Sequence, residues 1–202
     1  MPIRMRTLIF VALIPAAFGQ LVSFGVKIGA PLSDSFADAT FQGSVPAVTI
    51  RSFSDAKKYI VGPMAELHLP FGFSINADGL YRPLRLVMVS EVSTQTFGER
   101  VTSANYGSWE VTPVLRYRFL HTPMVKPFAE AGPTFRFLEA PLDNYLSDRG
   151  FTLGAGVEVK FLRLRIAPEL RYTRWGSDHS VTSAFPLQSN QNQAEFLAGF
   201  SF

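Results

Sequence analysis

The chain has 202 residues, enough for one domain, of which 47% are hydrophobic and 13% aromatic, and none is cysteine. That composition excludes disulfides, thiol catalysis and cysteine-ligated metals, and the absence of any apolar run of about 18 residues excludes a helical membrane span. The charge is 19 basic against 16 acidic residues. Setting aside Arg4 and Arg6 of the N-terminal segment leaves 17 against 16, with no basic tract that would engage nucleic acid.

Residues 1–19 read as a secretory signal peptide: a basic start at Arg4 and Arg6, an apolar run from Leu8 to Ala17, and small residues before an expected cut at Gln20. The domain is then expected over residues 20–202. No Cys follows the cut, so no lipoprotein anchor is expected.

From there the dominant signal is alternation of period two, the mark of a strand with one apolar face. Leu21 to Gly29 comes first, with Phe24, Val26 and Ile28 on one face and Lys27 on the other. Residues 31–57, rich in Pro, Ser, Asp and Thr, read as a long loop. Lys58 to Leu69 follows, with Glu66 and His68 on its polar face. A turn at 70–72 leads into a strand over 72–81, in which Ser74, Asn76 and Asp78, and next Arg82, oppose Phe73, Ile75 and Tyr81. Residues 83–107 form a second long excursion, whose first part is able to extend that strand beyond a membrane. Then come Trp109 to Phe119, with Glu110, Arg116 and Arg118 on one face, and 126–137, with Glu130 and Arg136. Strands over 151–161 (Glu158, Lys160), 163–175 (Arg165, Glu169, Arg171) and 194–202 (Glu195) complete the set.

These are eight strands of about 9–12 residues, the length that crosses a bilayer at a tilt. Their connections alternate between roughly 12–27 and roughly 2–6 residues, as in a barrel with long outer loops and short inner turns. With no run for a helical span, strands that cross must close on themselves so that no edge is left unpaired. The expected fold is an all-β, eight-stranded antiparallel up-and-down transmembrane barrel.

Charge tells inside from outside. Lys27, Glu66, His68, Glu110, Arg116, Arg118, Glu130, Arg136, Glu158, Lys160, Arg165, Glu169, Arg171 and Glu195 all fall in the non-apolar phase. The other phase carries Phe, Tyr, Trp, Leu, Val and Ala. Tyr59, Tyr81, Trp109 and Trp175 are expected at the outer rim, and Phe73, Phe119, Phe161 and Phe202 near the short turns. The charges are expected to pair with one another and fill the lumen, which in an eight-stranded barrel is just wide enough for side chains. A soluble barrel with a charged exterior is the alternative, and it gives no reason for segregated loop lengths.

Pro63, Pro113, Pro133 and Pro168 sit inside strand patterns, all in the outward phase, where bulges or broken ladder bonds are expected. No catalytic, cofactor or metal residues stand out. Of the three histidines, His68 reads as a network member, and Asp178, His179 and Ser180 are adjacent in a polar loop rather than a converged constellation.

VGPMAELHL, WEVTPVLRYRF, KPFAEAGPTFRF, LGAGVEVKF and the closing FLAGFSF resemble the small bacterial outer-membrane β-barrel family of OmpA- and OmpX-like domains. The last segment, with Phe196, Phe200 and Phe202 alternating up to a terminal aromatic, resembles that group's C-terminal assembly signature. The resemblance implies residence in the outer membrane of a Gram-negative-type envelope, lipid as the surrounding partner and the barrel-assembly machinery as a transient one. It implies no cofactor, a structural or surface-interaction role, a monomer, and an external ligand met by the loops at 31–57 and 83–107. A lipid-modifying outer-membrane enzyme and a narrow passive pore are the alternatives. No peptidoglycan-binding domain is expected after Phe202.

Overall fold

A computed structural model describes residues 21–37, 39–44, 47–54, 59–93, 98–120, 122, 124–139, 146–161, 163–178 and 188–202. Residues 1–19, expected from the sequence to be a signal peptide, lie outside the described residues.

Among the described residues there are twelve strands: β1 (Val22–Pro31), β2 (Phe36–Ala37), β3 (Ala39–Ser44), β4 (Ala47–Ser54), β5 (Ile60–His68), β6 (Phe73–Ser93), β7 (Gly98–Arg118), β8 (Val125–Leu138), β9 (Arg149–Phe161), β10 (Leu164–Trp175), β11 (Gln188–Ser189) and β12 (Asn192–Ser201). Eight of them form a ring in the order β6-β5-β1-β12-β10-β9-β8-β7, and β7 pairs back onto β6. Every neighbour is antiparallel. The seam between the ends of the chain is sealed by β1 against β12, from Gly25↔Ser201 to Pro31↔Glu195. The fold is thus a closed eight-stranded antiparallel barrel.

The 31–57 stretch corrects the expectation of a loop. It holds β2 and the β3–β4 hairpin, and β4 pairs with the far half of β6 from Ser54↔Leu86 to Ala47↔Ser93. Its alternation is diluted by Ser, Gly and Thr, so it lacks the apolar face that marks a lipid-facing strand. Residues 83–107 are likewise mostly strand. β6 and β7 are 21 residues each and stay in register from Phe73↔Tyr117 to Val92↔Gly98. At about 3.3 Å per residue each is roughly 70 Å long, far more than a tilted crossing needs. β8 follows β7 only from Ser108 down, so the upper halves leave the ring as a β3–β4–β6–β7 sheet.

Polarity reverses along that extension. The inward phase of β6 is polar low down (Ser74, Asn76, Asp78) and turns apolar higher up at Leu84 and Leu86. There Phe36 and Leu146 pack on these leucines, with Met88, Tyr106 and Leu138 around them. On the outward phase of β7 Ser103 and Asn105 are exposed. A wall facing water on its outside buries its greasy side, whereas a wall facing lipid does the opposite.

The strand prolines break the ladder without shifting it. β5 pairs β6 at Val61↔Tyr81 and resumes at Met64↔Asp78, so the register is unchanged across Pro63. β7 and β8 part between Val111↔Phe135 and Leu115↔Ala131, which sets Pro113 against Pro133. β10 and β9 part between Ile166↔Val159 and Glu169↔Gly156, beside Pro168. On its other side each proline keeps a paired neighbour: Val26, Ala77, Phe151 and Ala198 respectively. One missing N–H removes bonds toward one neighbour only, and no bulge is needed. At all three gaps a glycine admits a partner carbonyl: a Cβ on Gly62 would collide with the Gly79 oxygen, one on Gly132 would sit 2.2 Å from the Pro113 oxygen, and one on Gly156 would sit 2.4 Å from that of Pro168.

Candidate functional site

The lumen is where the chemistry-bearing side chains converge. It is filled by ion pairs in three tiers; strand pairing sets two of these pairs, and the others reach across the lumen. In register, Arg116 lies opposite Glu130 and Glu110 opposite Arg136, so each pair meets on the inner face of β7 and β8. Lys27 lies opposite Gly62 on one side and Gly199 on the other, leaving its long side chain room to cross the lumen.

The central tier joins three cations to three carboxylates. Lys27 Nζ donates to Asp78 Oδ2 at 2.8 Å and to Glu169 Oε1 at 2.9 Å. Arg171 donates to both Asp78 oxygens, at 3.1 and 2.7 Å, and to Glu130 and Glu169. Arg116 donates to Glu130 Oε2 at 2.9 and 2.7 Å and to Glu169 Oε2 at 3.0 Å, and its guanidinium lies 4.0 Å over the Phe128 ring. Lys27 is 0% exposed. Gly154 belongs to this arrangement, since a Cβ there would sit 2.8 Å from Glu130 Cγ.

The tier toward the long loops holds Arg82, Glu195, Glu110 and Arg136. Arg82 is paired with Glu195 and donates to Gln193 Oε1 at 2.6 Å. Arg136 Nε lies 3.3 Å from Glu110 Oε1, and its guanidinium stacks 3.6 Å over the ring of Trp175. The third tier, toward the short turns, holds Arg118 between Glu158 (3.0 and 2.7 Å) and Glu66 (2.6 Å), with Ser74 donating to Glu66 at 2.6 Å. A 3.9 Å approach of Arg116 to Glu66 links it to the centre.

Two residues central to these tiers, Asp78 and Arg82, are missing from the charged set named from the sequence, although their phase is readable there. Three residues of that set stand apart from the tiers, His68 touching them only through a 3.8 Å approach of its Nε2 to Glu66 Oε2. Arg165 reaches His68 Nε2 at 2.6 Å, and Lys160 is exposed with no ion pair among the described residues. They lie beyond the last carboxylate tier, where the lumen opens to water.

The outer face is apolar in turn: Phe24 is 63% exposed, with Val26, Ile28, Leu115, Leu153, Leu170 and Phe196 also in contact with the surroundings. Aromatic rings gather at both ends. Tyr81 and Trp109 lie 5.4 Å apart at one, and Phe73, Tyr117 and Phe119 are stacked in sequence at the other. Trp175 corrects the expected belt: it is 2% exposed and shares the inward phase of Arg171 and Thr173.

A closed ring with ions inside and grease outside is built for lipid. The chain is a transmembrane-type β-barrel.

Among solved structures, this barrel is similar to the outer membrane protein OprG from Pseudomonas aeruginosa, at 12% identity over 90% of this chain and 94% of that one, with a TM-score of 0.48. It is also similar to the outer membrane enzyme PagL (14% identity, 89% and 98% covered, TM-score 0.36) and to the β domain of the Bordetella autotransporter BrkA (9%, 90% and 99%, 0.36). No protein-family model and no curated protein matches the chain.

No group of His, Asp and Glu fit to hold a metal occurs among the described residues. Asp178 is taken up in structure. Its Oδ1 accepts from the Ser147 amide at 3.2 Å and from Ser189 Oγ at 2.7 Å, and its Oδ2 from the Ser189 amide at 2.8 Å. His179 and Ser180 lie outside the described residues. Phe196, Phe200 and Phe202 all fall on the outward phase of the closing strand, and Phe202 is exposed.

Proposed function

We propose that this barrel is an integral outer-membrane protein with a structural or surface-interaction role and a lumen closed to solutes. Carrying this reading is the central tier, in which three cations and three carboxylates are buried and bonded to each other across the lumen. Ions held this way are costly to separate, because each would be left buried and uncompensated. Residues 1–19 act as the export leader, and the closing strand presents its outward phenylalanines to the assembly machinery. The protein works as a monomer and without a cofactor, in the manner of the OmpA- and OmpX-like barrels. The β3–β4–β6–β7 extension and the segments between its strands meet the external partner. Both catalytic candidates in the described part are already engaged, Asp178 by Ser147 and Ser189 and His68 by Arg165, which favours a non-enzymatic role.

Planar-bilayer recording tests the closed lumen. Purified barrel is expected to give no defined conductance steps, and reproducible unitary steps would move the assignment to a pore. A lipid A assay with His68→Ala and the unaltered chain, giving no product from either, completes the test, and product from the unaltered chain would overturn the non-enzymatic reading.

A further inference from the structure

The central and upper tiers of the lumen are balanced in charge, the third holds one more carboxylate than cation, and the mouth beyond it, beside the short turns, holds the opposite excess. A cavity of about 300 Å³ opens there, lined by His68, Arg118, Lys126, Glu158, Lys160 and Arg165, with Leu69, Phe73 and Leu120 at its rim. Its one carboxylate, Glu158, is already held by two nitrogens of Arg118. Lys126 and Lys160 have no ion pair or hydrogen bond from their side chains among the described residues, and the partner of Arg165 is a histidine ring. Lys160 and Arg165 lie directly opposite each other in the β9–β10 register. Like charges so placed repel, and an excess of cations around a concave site calls for an anion.

His68 adds a second, independent sign. Arg165 is always protonated and donates, so Nε2 accepts and the ring proton sits on Nδ1. That Nδ1 is buried with no hydrogen-bond partner. A buried donor without a partner, on a side chain that lines this cavity, favours an acceptor brought by a ligand.

We propose that the short-turn mouth binds a phosphate-bearing anion through Arg165, Lys160, Lys126 and the Nδ1–H of His68. Guanidinium and ammonium groups at one site suit the several oxygens of a phosphate, with Arg165 able to present a fork and the lysines point charges. The apolar rim of Leu69, Phe73 and Leu120 suits an acyl-bearing phosphodiester, so a lipid headgroup is the favoured source and free phosphate the other. This site is independent of the closed-lumen reading, since the groups that would hold the anion, Arg165, Lys160, Lys126 and His68, belong to none of the three tiers.

The test uses the full barrel in a non-ionic detergent, followed by NMR of the lysine, arginine and histidine side chains. The probes are inorganic phosphate, dihexanoylphosphatidylglycerol, and dihexanoylglycerol as a lipid without phosphate. Saturable shifts at His68, Lys160 and Arg165 are expected with the phospholipid and not with dihexanoylglycerol. Equal saturation by inorganic phosphate would assign the source as free phosphate and keep the site. Lys160→Gln, at an exposed and unpaired position, and the Lys160→Gln/Arg165→Gln pair are expected to weaken binding at least tenfold for the double variant. Arg149→Gln, at an exposed position near the opposite end, is expected to leave it unchanged. No saturable shift with either phosphate probe overturns the proposal, and so does a double variant that binds like the parent or an equal loss in Arg149→Gln.

Discussion

Asp78 and Arg171 reach each other across the full width of the barrel. They stand on β6 and β10, four places apart in a ring of eight, and are joined by two hydrogen bonds of 3.1 and 2.7 Å with both side chains buried. A contact between opposite walls closes the lumen in a way that a contact between neighbours does not. Removing Asp78 leaves Arg171 and Lys27 short of a counter-charge in a place water does not reach. Asp78→Ala is therefore expected to destabilise the folded barrel by about 3–5 kcal/mol, measured by urea unfolding in lipid vesicles. Lys160→Ala, which breaks no ion pair, is expected to stay within about 0.5 kcal/mol of the parent.

The glycines give a sharper contrast because their chemistry is identical. A Cβ at Gly132 would meet the Pro113 carbonyl at 2.2 Å, whereas one at Gly79 would meet nothing within 4 Å. Gly132→Ala is expected to cost about 1–3 kcal/mol through forced separation of β7 and β8. Gly79→Ala is expected to be neutral or slightly stabilising, since Gly carries an entropic cost in a strand. The same unfolding assay decides it, and equal losses at both positions would mean that the seam beside Pro113 and Pro133 is not close-packed.

Much of the barrel was legible in the sequence because lipid imposes a strict rule on every crossing strand. Lys27, Glu66, Arg116 and Glu169 could be assigned a phase because their neighbours at odd spacing are apolar. Where the chain leaves the membrane that rule lapses. The β3–β4 hairpin is not legible for this reason: Thr40, Gln42 and Thr49 break the apolar alternation that marks a crossing strand, so the segment reads as loop. Trp175 was misplaced by composition overriding phase. An aromatic near a strand end suggests a belt, yet its spacing from Arg171 and Thr173 already put it inside. Apart from Arg116–Glu130 and Glu110–Arg136, which lie on consecutive strands, which acid meets which base was not legible, because the pairings cross the lumen between strands far apart in sequence, as with Arg82 and Glu195.

The absence of cysteine makes the two ends separately addressable. Ser103→Cys lies on the exposed outward phase of β7, above the ring, and Phe71→Cys lies in the short turn at the opposite end, with Phe71 86% exposed. A membrane-impermeant maleimide applied to intact cells is expected to label Ser103→Cys at once and Phe71→Cys only after the envelope is permeabilised. Labelling of both in intact cells, or the reverse order, would contradict the orientation with long strands outward.

The inside-out polarity of the wall is tested most directly by its two tryptophans. Trp109 is 47% exposed on the apolar face, and Trp175 is 2% exposed under the Arg136 guanidinium. Each can be read alone, in Trp175→Phe and in Trp109→Phe, by fluorescence in vesicles made with brominated acyl chains. Strong quenching of Trp109 with little effect on Trp175 is the expected result. Trp109 emission untouched by bromine, with Trp175 quenched or equally untouched, would contradict a barrel that turns its apolar side to lipid.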